Sequence, residues 1–271
     1  MTILVTGATS GIGLATATAL AVTGHDVAVV GRTRPTAEQA AALIARSAPG
    51  ATVSAYPADL ARRSEVRALA EAVRADHRDL EALVLCAAVV DPPRQITDGV
   101  DTTLAVNHLA PALLTQLLDP ALVGGRIVAV SSSQHGAAGA FDPTVFEPDS
   151  PASPRRRYEA TKLLTLLYAT GRLRAPHAAP MEVIDPGFVR TGLGRHARGA
   201  LRLLLMLTRP FQSAPEVPAG LIVKRLEARD FTDGGYRGAK GEAKRARNAQ
   251  DPLAAERAWA WTQRLLADAQ C

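Results

Sequence analysis

Thr6-Gly7-Ala8-Thr9-Ser10-Gly11-Ile12-Gly13 is the stretch that decides the fold class of this 271-residue chain. It follows the apolar run Ile3-Leu4-Val5, which is typical of a short strand, and it leads into a helical pattern over residues 13–23. Glycines at such a turn let the backbone approach a pyrophosphate, and the helix start offers free N–H groups and a positive dipole end. The stretch predicts a dinucleotide site with contacts from Gly7, Thr9, Ser10, Gly11, Ile12 and Gly13.

The pattern beyond this turn alternates strands with helices. Apolar runs predict strands at residues 25–30, 51–56, 82–87, 125–131 and 181–184. Periodic stretches predict helices at residues 36–47, 64–74, 101–118 and 158–173, with Ser64 as a helix N-cap. This alternation is typical of repeated right-handed βαβ units. We therefore expect an α/β fold, a Rossmann-type doubly wound parallel sheet with helices on both faces, in a single domain over residues 1–271.

Composition excludes several classes of partner. The net charge of +5 arises from 31 Lys and Arg against 26 Asp and Glu, without a basic and aromatic stripe, so we expect no nucleic-acid partner. No apolar stretch reaches the ~18 residues of a membrane span, and the chain opens on a strand. We therefore expect no membrane partner and a cytoplasmic location. Cys86 and Cys271 make neither a disulfide framework nor a metal site.

Two irregular segments interrupt the alternation and are expected to flank the substrate. Residues 142–154 contain four prolines and form either a flexible lid or a plain connecting loop. Residues 191–218 carry several leucines and Phe211, which with Phe188 either cover an apolar pocket or simply pack on the sheet. The covering alternative predicts a small hydrophobic substrate.

A tyrosine and a lysine share one face of a predicted helix. Tyr158 and Lys162 are four residues apart, and positions i and i+4 of a helix lie side by side. A nearby ammonium lowers the pKa of a phenol, which suits a tyrosine that exchanges a proton with a carbonyl or alcohol oxygen. The alternative is an ordinary surface helix.

Polar residues at two other places strengthen the first interpretation. Ser131, Ser132 and Ser133 end a predicted strand at the edge where ligands bind in parallel sheets, so one of them can reach the same substrate oxygen. Asn107 lies inside a predicted helix, where asparagine is locally unfavourable. It either holds a water linked to Lys162 or marks a kink before Pro111.

Together these motifs resemble the short-chain dehydrogenase/reductase family. The glycine-rich turn, Asp59-Leu60, Asn107, Ser132, the Tyr158/Lys162 pair and the segment from Pro186 to Thr191 follow one another in the family's order. Residues 106–111, 127–135 and 256–259 are similar to the retinol-dehydrogenase-like and protochlorophyllide-reductase-like branch.

The resemblance implies a role for each matching residue. Tyr158 would be the general acid, Lys162 would lower its pKa and bind the nicotinamide ribose, and Ser132, preferred over Ser131 and Ser133, would polarise the carbonyl. Asn107 would anchor a proton-relay water. The family often pairs through the helices that carry Asn107 and Tyr158, so a homodimer or tetramer is possible. The other implied cofactor contacts are Asp59, Leu60, Ala87, Pro186, Gly187, Val189 and Thr191.

One segment departs from the family pattern. The usual Asn-Asn-Ala-Gly at the end of the fourth strand is Leu85-Cys86-Ala87-Ala88 here. Cys86 replaces an asparagine that ties neighbouring strands together, and Ala88 replaces a glycine near the cofactor ribose. We expect the fold to tolerate both changes and the cofactor geometry to be affected.

The second strand indicates which cofactor is bound. It ends Val30-Gly31-Arg32, without the acidic residue that binds a ribose 2′-hydroxyl in NAD sites. Arg32 can instead fork onto a 2′-phosphate, with Thr33 adding a hydrogen bond, or it merely reaches solvent. We predict an NADP(H)-dependent ketone or aldehyde reductase. The alternatives are a catalytically silent NADP(H)-binding regulator and a redox-neutral epimerase or dehydratase.

Overall fold

An eight-stranded sheet forms the centre of the computed structural model, which describes residues 1–90, 93–189 and 213–267. The strand order is β10-β9-β8-β7-β4-β1-β2-β3, and all pairs are parallel except β9 with β10. A short antiparallel hairpin lies apart from this sheet and consists of two strands of two residues each, β5 (Ile96–Thr97) and β6 (Val100–Asp101). The sheet strands are β1 (Thr2–Thr6), β2 (Asp26–Gly31), β3 (Val53–Pro57), β4 (Leu80–Leu85), β7 (Arg126–Val130), β8 (Met181–Ile184), β9 (Tyr236–Gly238) and β10 (Gly241–Glu242).

Seven helical segments of the described chain surround the sheet. The fourth, α4, is irregular: it runs through Thr102–Leu104, a π-helical stretch Ala105–Leu109 and Ala110–Leu118. The others are α1 (Gly11–Val22), α2 (Arg34–Ser47), α3 (Arg63–Asp76), α5 (Pro154–Arg172), α6 (Glu216–Glu227) and α7 (Pro252–Ala267).

The two faces of the sheet bury alternate residues of the same strands. On β1, Leu4 packs with the cluster that contains α3, α4, α5 and α7, whereas Ile3 and Val5 pack with the cluster that contains α1, α2 and α6. Successive side chains of a strand point to opposite faces, so helices on both sides require apolar residues at every position. The expected single-domain, doubly wound sheet is therefore confirmed.

All five predicted helix starts differ from the observed ones, by one to four residues, and two of the differences concern the helix caps. Helix α3 begins at Arg63 with Arg62 as its N-cap, so the prediction of Ser64 as the cap is wrong. Helix α5 begins four residues before Tyr158, because the Ser153 side chain accepts a hydrogen bond from the Arg156 N–H at 3.2 Å and Pro154 occupies the first turn. Tyr158 therefore lies inside a capped helix.

The proline-rich segment 142–154 is packed against the body of the protein. Val145 and Phe146 are buried, and the Phe146 ring stacks on Trp261 of α7 with centroids 6.2 Å apart. The Arg94 guanidinium donates hydrogen bonds to backbone carbonyls within this segment, including that of Glu147. These contacts favour the connecting loop over the lid. Most of the second expected insertion, residues 190–212, lies outside the described residues.

Helix α7 packs across the outer side of α4 and α5. Trp259 lies against Gly171, where an added Cβ would come within 2.7 Å of the Trp259 Cβ atom. The Trp259 ring also packs on Tyr168, with centroids 5.0 Å apart. On α4, the His108 ring lies 2.8 Å from the Thr262 hydroxyl. The helices that carry Asn107 and Tyr158 are thus partly covered by the chain itself.

Candidate active site

The glycine-rich turn connects β1 to α1 in a conformation that requires glycine. Gly7 has φ +66° and Gly11 has φ +55°, both in the left-handed region that disfavours side chains. A Cβ atom on Gly7 would lie 2.7 Å from the Ala87 Cα, and one on Gly13 would lie 2.3 Å from the Gly7 carbonyl oxygen. The turn therefore packs tightly against both the end of β4 and its own helix.

Helix α1 presents the free N–H groups that an anion needs. Ser10 is its N-cap and makes no side-chain cap hydrogen bond, so no side chain within residues 1–90, 93–189 and 213–267 satisfies the first-turn N–H groups of Gly11, Ile12 and Gly13. The first turn contains no acidic residue. Thr9 lies beside the end of β2, with its methyl group 2.9 Å from where a Gly31 Cβ would be. This cradle fits a pyrophosphate.

Arg32 stands exposed where β2 ends, and no described residue forms an ion pair with it. The next residue, Thr33, is the N-cap of α2 and forms a capping box with Thr36. Its hydroxyl accepts a hydrogen bond from the Thr36 N–H at 3.4 Å, so the predicted role for Thr33 in phosphate binding competes with this cap. Arg32 is the available cation at this end of the sheet.

The remaining predicted cofactor residues follow the ends of β3 and β8. Asp59 accepts a hydrogen bond from the Ala61 N–H at 3.0 Å, and Leu60 is buried beside it. Gly187 follows β8 with φ +72°, between Pro186 and the exposed Phe188. Val189 pairs with Ser213. Thr191 lies outside the described residues.

Thr6 joins β1 to β4 where the chain departs from the family pattern. Its hydroxyl donates a hydrogen bond to the Val84 carbonyl at 3.4 Å and accepts one from the Ala87 N–H at 3.3 Å. The tie that the resemblance assigns to an asparagine at position 86 is thus made by a threonine on the neighbouring strand. Cys86 itself is partly buried, and burial raises the pKa of its thiol to about 12.

Ser132 and Tyr158 meet at the carboxyl ends of the strands. Ser132 follows β7, and its side chain lies beside the Tyr158 phenol. Burial raises the pKa of Tyr158 to about 12, hydrogen bonding by Ser132 lowers this pKa, and the charge of Asp185 raises it. The tyrosine is therefore protonated at neutral pH in this arrangement.

Lys162 is buried next to both Tyr158 and Cys86. Its ammonium donates a hydrogen bond to the Val130 carbonyl at 2.9 Å and lies 5.5 Å from the centre of the Tyr158 ring. Burial lowers the pKa of Lys162 to about 8. The expected lowering of the Tyr158 pKa by Lys162 is not seen in this arrangement, because burial of the phenol outweighs its favourable interactions and raises that pKa.

The other two serines, Ser131 and Ser133, differ from Ser132 in position and contacts. Ser131 is buried and donates its hydroxyl hydrogen to the Lys162 carbonyl at 2.9 Å, which ties α5 to the end of β7. Ser133 is exposed in the following turn. Of the three serines, Ser132 is the one whose side chain lies beside Tyr158.

Asn107 lies in the π-helical stretch of α4 and holds the backbone after β4. Its side chain accepts a hydrogen bond from the Val89 N–H at 2.8 Å and donates one to the Val89 carbonyl at 2.9 Å. It also donates to the Thr161 hydroxyl at 3.2 Å, and Thr161 in turn donates to the Tyr158 carbonyl at 2.7 Å. The helix is π-helical just before Pro111, and the Asn107 side chain links the backbone after β4 to α5.

Two residues near the site were not singled out from the sequence. Asp185 follows β8, where its carboxylate accepts hydrogen bonds from the Gly187 N–H at 3.0 Å and the Tyr236 hydroxyl at 3.1 Å. His135, three residues after Ser132, is buried. An acidic residue directly before Pro186-Gly187 was the signal for Asp185, whereas only the fold reveals the partners of His135.

The comparisons with known proteins agree with this architecture. A family model described as short chain dehydrogenase matches residues 1–143. A WW domain-containing oxidoreductase of Danio rerio is 32% identical over 97% of this chain and 68% of its own length. A putative daunorubicin C-13 ketoreductase, DnrU, of Streptomyces is 34% identical over 87% of this chain and 82% of its own. The chain therefore belongs to the short-chain dehydrogenase family, as its motifs predicted.

Solved structures share the fold. A protein from Mycobacterium paratuberculosis has a TM-score of 0.78 at 26% identity and covers 97% of this chain and 92% of its own. A short-chain dehydrogenase from Burkholderia cenocepacia, solved with NADP, has a TM-score of 0.67 at 25% identity over 87% of this chain and 94% of its own. In the described part of this chain, no helix is long and apolar enough to cross a membrane, and His, Cys, Asp and Glu form no group suited to a metal.

Proposed function

We propose that this protein is an NADP(H)-dependent oxidoreductase that interconverts a carbonyl and an alcohol. The observation that carries the proposal is the contact between Ser132 and Tyr158 at the strand ends, beside a buried Lys162. A protonated phenol with a hydroxyl partner can donate a proton to one substrate oxygen, which is what reduction of a carbonyl requires.

The glycine cradle and Arg32 would hold NADP(H). The first-turn N–H groups of α1 and the close approach at Gly7 and Gly13 fit a pyrophosphate, and the guanidinium of Arg32, which no described residue pairs, fits a 2′-phosphate. When bound, this cofactor supplies or accepts the hydride. Several structural neighbours were solved with NADP or NADPH, including the short-chain dehydrogenase of Sphingobium yanoikuyae, which supports the choice of cofactor.

The residues of this chain supply the proton and the orientation. Ser132 would polarise the substrate oxygen, and Tyr158 would release its proton to it as the carbonyl becomes an alcohol. Lys162, buried on the same helix face, would hold the nicotinamide ribose and compensate the phenolate that forms. We propose that Asn107 in α4 anchors a water molecule that returns a proton to Tyr158 after each reduction.

The substrate class proposed is a hydrophobic ketone or aldehyde. The Streptomyces relative is named as a ketoreductase, and a relative from Mus musculus, 34% identical over 97% of this chain, as a polyprenol dehydrogenase. Phe188, 53% exposed directly after the predicted nicotinamide residues, provides an apolar surface beside the site.

The decisive experiment is to follow NADPH consumption with a panel of ketones and aldehydes. Tyr158→Phe should abolish turnover and keep NADPH binding. Tyr168→Phe, on the same helix and lacking only a hydroxyl that donates to the Ala112 carbonyl at 3.4 Å, should stay within about threefold of wild type. Tight NADPH binding without turnover of any carbonyl would instead indicate a regulator. If a product forms but carries no deuterium from labelled NADPH, the reaction is redox-neutral.

A further inference from the structure

The His135 ring is held in one protonation state between two backbone groups. Its Nδ1 atom lies 2.7 Å from the Ser132 carbonyl oxygen, which can only accept, so Nδ1 carries the hydrogen. Its Nε2 atom lies 3.1 Å from the Ala246 backbone nitrogen, which can only donate, so Nε2 is unprotonated. A ring that donates at Nδ1 and accepts at Nε2 is neutral and a single tautomer.

The surroundings of His135 come from a distant part of the chain. The ring stands edge-on to Tyr236 with centroids 5.5 Å apart, and Tyr236 donates its hydroxyl hydrogen to Asp185. The Asn248 side chain donates hydrogen bonds to the carbonyls of His135 at 2.8 Å and Gly139 at 2.7 Å. The segment around β9 and β10 therefore encloses the turn that follows Ser132.

The Ser132 carbonyl connects His135 and its surroundings to the candidate active site. It accepts hydrogen bonds from both the backbone N–H and the ring of His135, which fixes the peptide plane directly after Ser132. The hydroxyl of the same residue faces Tyr158. Because a small displacement of a catalytic group has a large effect on rate, the anchoring of this peptide bears on the reaction.

We propose that His135 is a positioning residue that sets the orientation of Ser132 toward Tyr158, using residues 246–248 as its support. This inference rests on the proposed carbonyl reductase function. His135 does not touch the reacting atoms, so its loss should lower kcat and leave NADPH binding unchanged.

Two substitutions, each of which can replace one ring nitrogen of His135, distinguish a positioning role from a packing role. In His135→Asn the amide nitrogen can take the place of Nδ1 and donate to Ser132, whereas in His135→Gln the amide oxygen can take the place of Nε2 and accept from Ala246. We expect His135→Asn to keep kcat within about threefold and His135→Gln and His135→Ala to lose about tenfold or more. The opposite order, or equal losses in Asn and Gln, would overturn the proposal.

A matched control is available at the other end of the sheet. His177 precedes β8, and its ring likewise contacts a nearby carbonyl, that of Ala175, at 2.8 Å and a second group, Asp233, at 2.6 Å. His177→Gln should therefore leave kcat unchanged even if it lowers the melting temperature. A loss of kcat equal to that of His135→Gln would mean that destabilisation alone explains the effect.

A readout without turnover distinguishes failure of this inference from failure of the proposed function. Nitrogen-15 NMR of the histidine rings should show His135 protonated at Nδ1 and bare at Nε2, and the Ala246 amide should exchange faster in His135→Asn than in wild type. The other tautomer, or a doubly protonated ring at neutral pH, would overturn the positioning role. If the ring shows the expected tautomer but the protein turns over no carbonyl, the proposed function is wrong. The contact of His135 with Ser132 and Ala246 is then still supported.

Discussion

At the scale of single residues, the proposed preference for NADPH over NADH depends on Arg32. Its guanidinium is exposed and free of described acidic partners at the end of β2. Arg32→Asp should reverse the preference for NADPH over NADH by at least about tenfold, because a charge-assisted phosphate contact is replaced by repulsion. The ratio of kcat/KM for the two cofactors measures this. Arg34→Ala, which removes a guanidinium paired with Glu38 at 3.7 Å, should leave the ratio unchanged.

Asp185 adds to the effect of burial on Tyr158. Burial raises the pKa of Tyr158 to about 12, the charge of Asp185 raises it further, and oxidation of an alcohol requires the phenolate. Asp185→Asn should therefore move the rising limb of the oxidation pH profile to lower pH by about half a unit, since removing a like charge favours ionisation. Measuring kcat/KM against pH in the alcohol direction tests this.

The control for Asp185 retains its charge. Tyr236→Phe removes the hydrogen bond to the carboxylate and should leave the limb in place or move it upward. Identical downward shifts in Asp185→Asn and Tyr236→Phe would show that the charge is not the cause.

The types and order of the residues predicted Ser132, Tyr158, Lys162 and Arg32, because each of them lies in a short motif that can be found in the sequence alone. The protonation balance at Tyr158 did not follow from the sequence. It depends on burial and on Asp185, 27 positions further along the chain, and the i, i+4 spacing of Lys162 carries neither piece of information.

At the scale of elements, α5 is the helix that carries the proposed catalytic pair, Tyr158 and Lys162. Its start is fixed by the Ser153 cap and by the ion pair between Arg157 and Asp101, whose side chains are both buried and 3.2 Å apart. Ser153→Ala should lower the free energy of unfolding by about 1 kcal/mol, because it removes the hydrogen bond to the Arg156 N–H. Urea denaturation measures this loss.

A serine at the other end of a helix provides the comparison. Ser47 is the last residue of α2, exposed, and donates only to the Leu43 carbonyl at 3.3 Å. Ser47→Ala should change the free energy of unfolding by less than about 0.5 kcal/mol. Equal effects at Ser47 and Ser153 would contradict the assigned cap.

Element type was predictable where hydrophobic periodicity is strong. Strand β8 has the predicted bounds, and β1, β2, β4 and β7 differ by at most two residues at an end. Strands β9 and β10 were not predicted, since two or three residues between glycines carry no period and pair only because β8 offers a free edge. The π-helical stretch in α4 was indicated only by Asn107 and Pro111.

At the scale of the whole molecule, α7 bears on assembly. The family resemblance permits a homodimer or tetramer through α4 and α5, but α7 occupies part of their outer side through Trp259, Thr262 and neighbouring residues. We expect sedimentation velocity at micromolar concentration to report a 28.5 kDa monomer. A stable dimer would mean that pairing uses another surface or displaces α7. The packing of α7 could not be predicted because its partners are about 90 or more positions away.

The position of β1 also constrains how the chain folds as it is made. Its neighbours in the sheet are β2 and β4, and the hydroxyl of Thr6 is bonded to Val84, 78 positions later. The central strand, apolar on both faces, therefore leaves the ribosome well before one of its two partners exists. During that interval its unpaired edge is exposed, so the first third of the chain is the part most exposed to aggregation and most dependent on chaperones during synthesis.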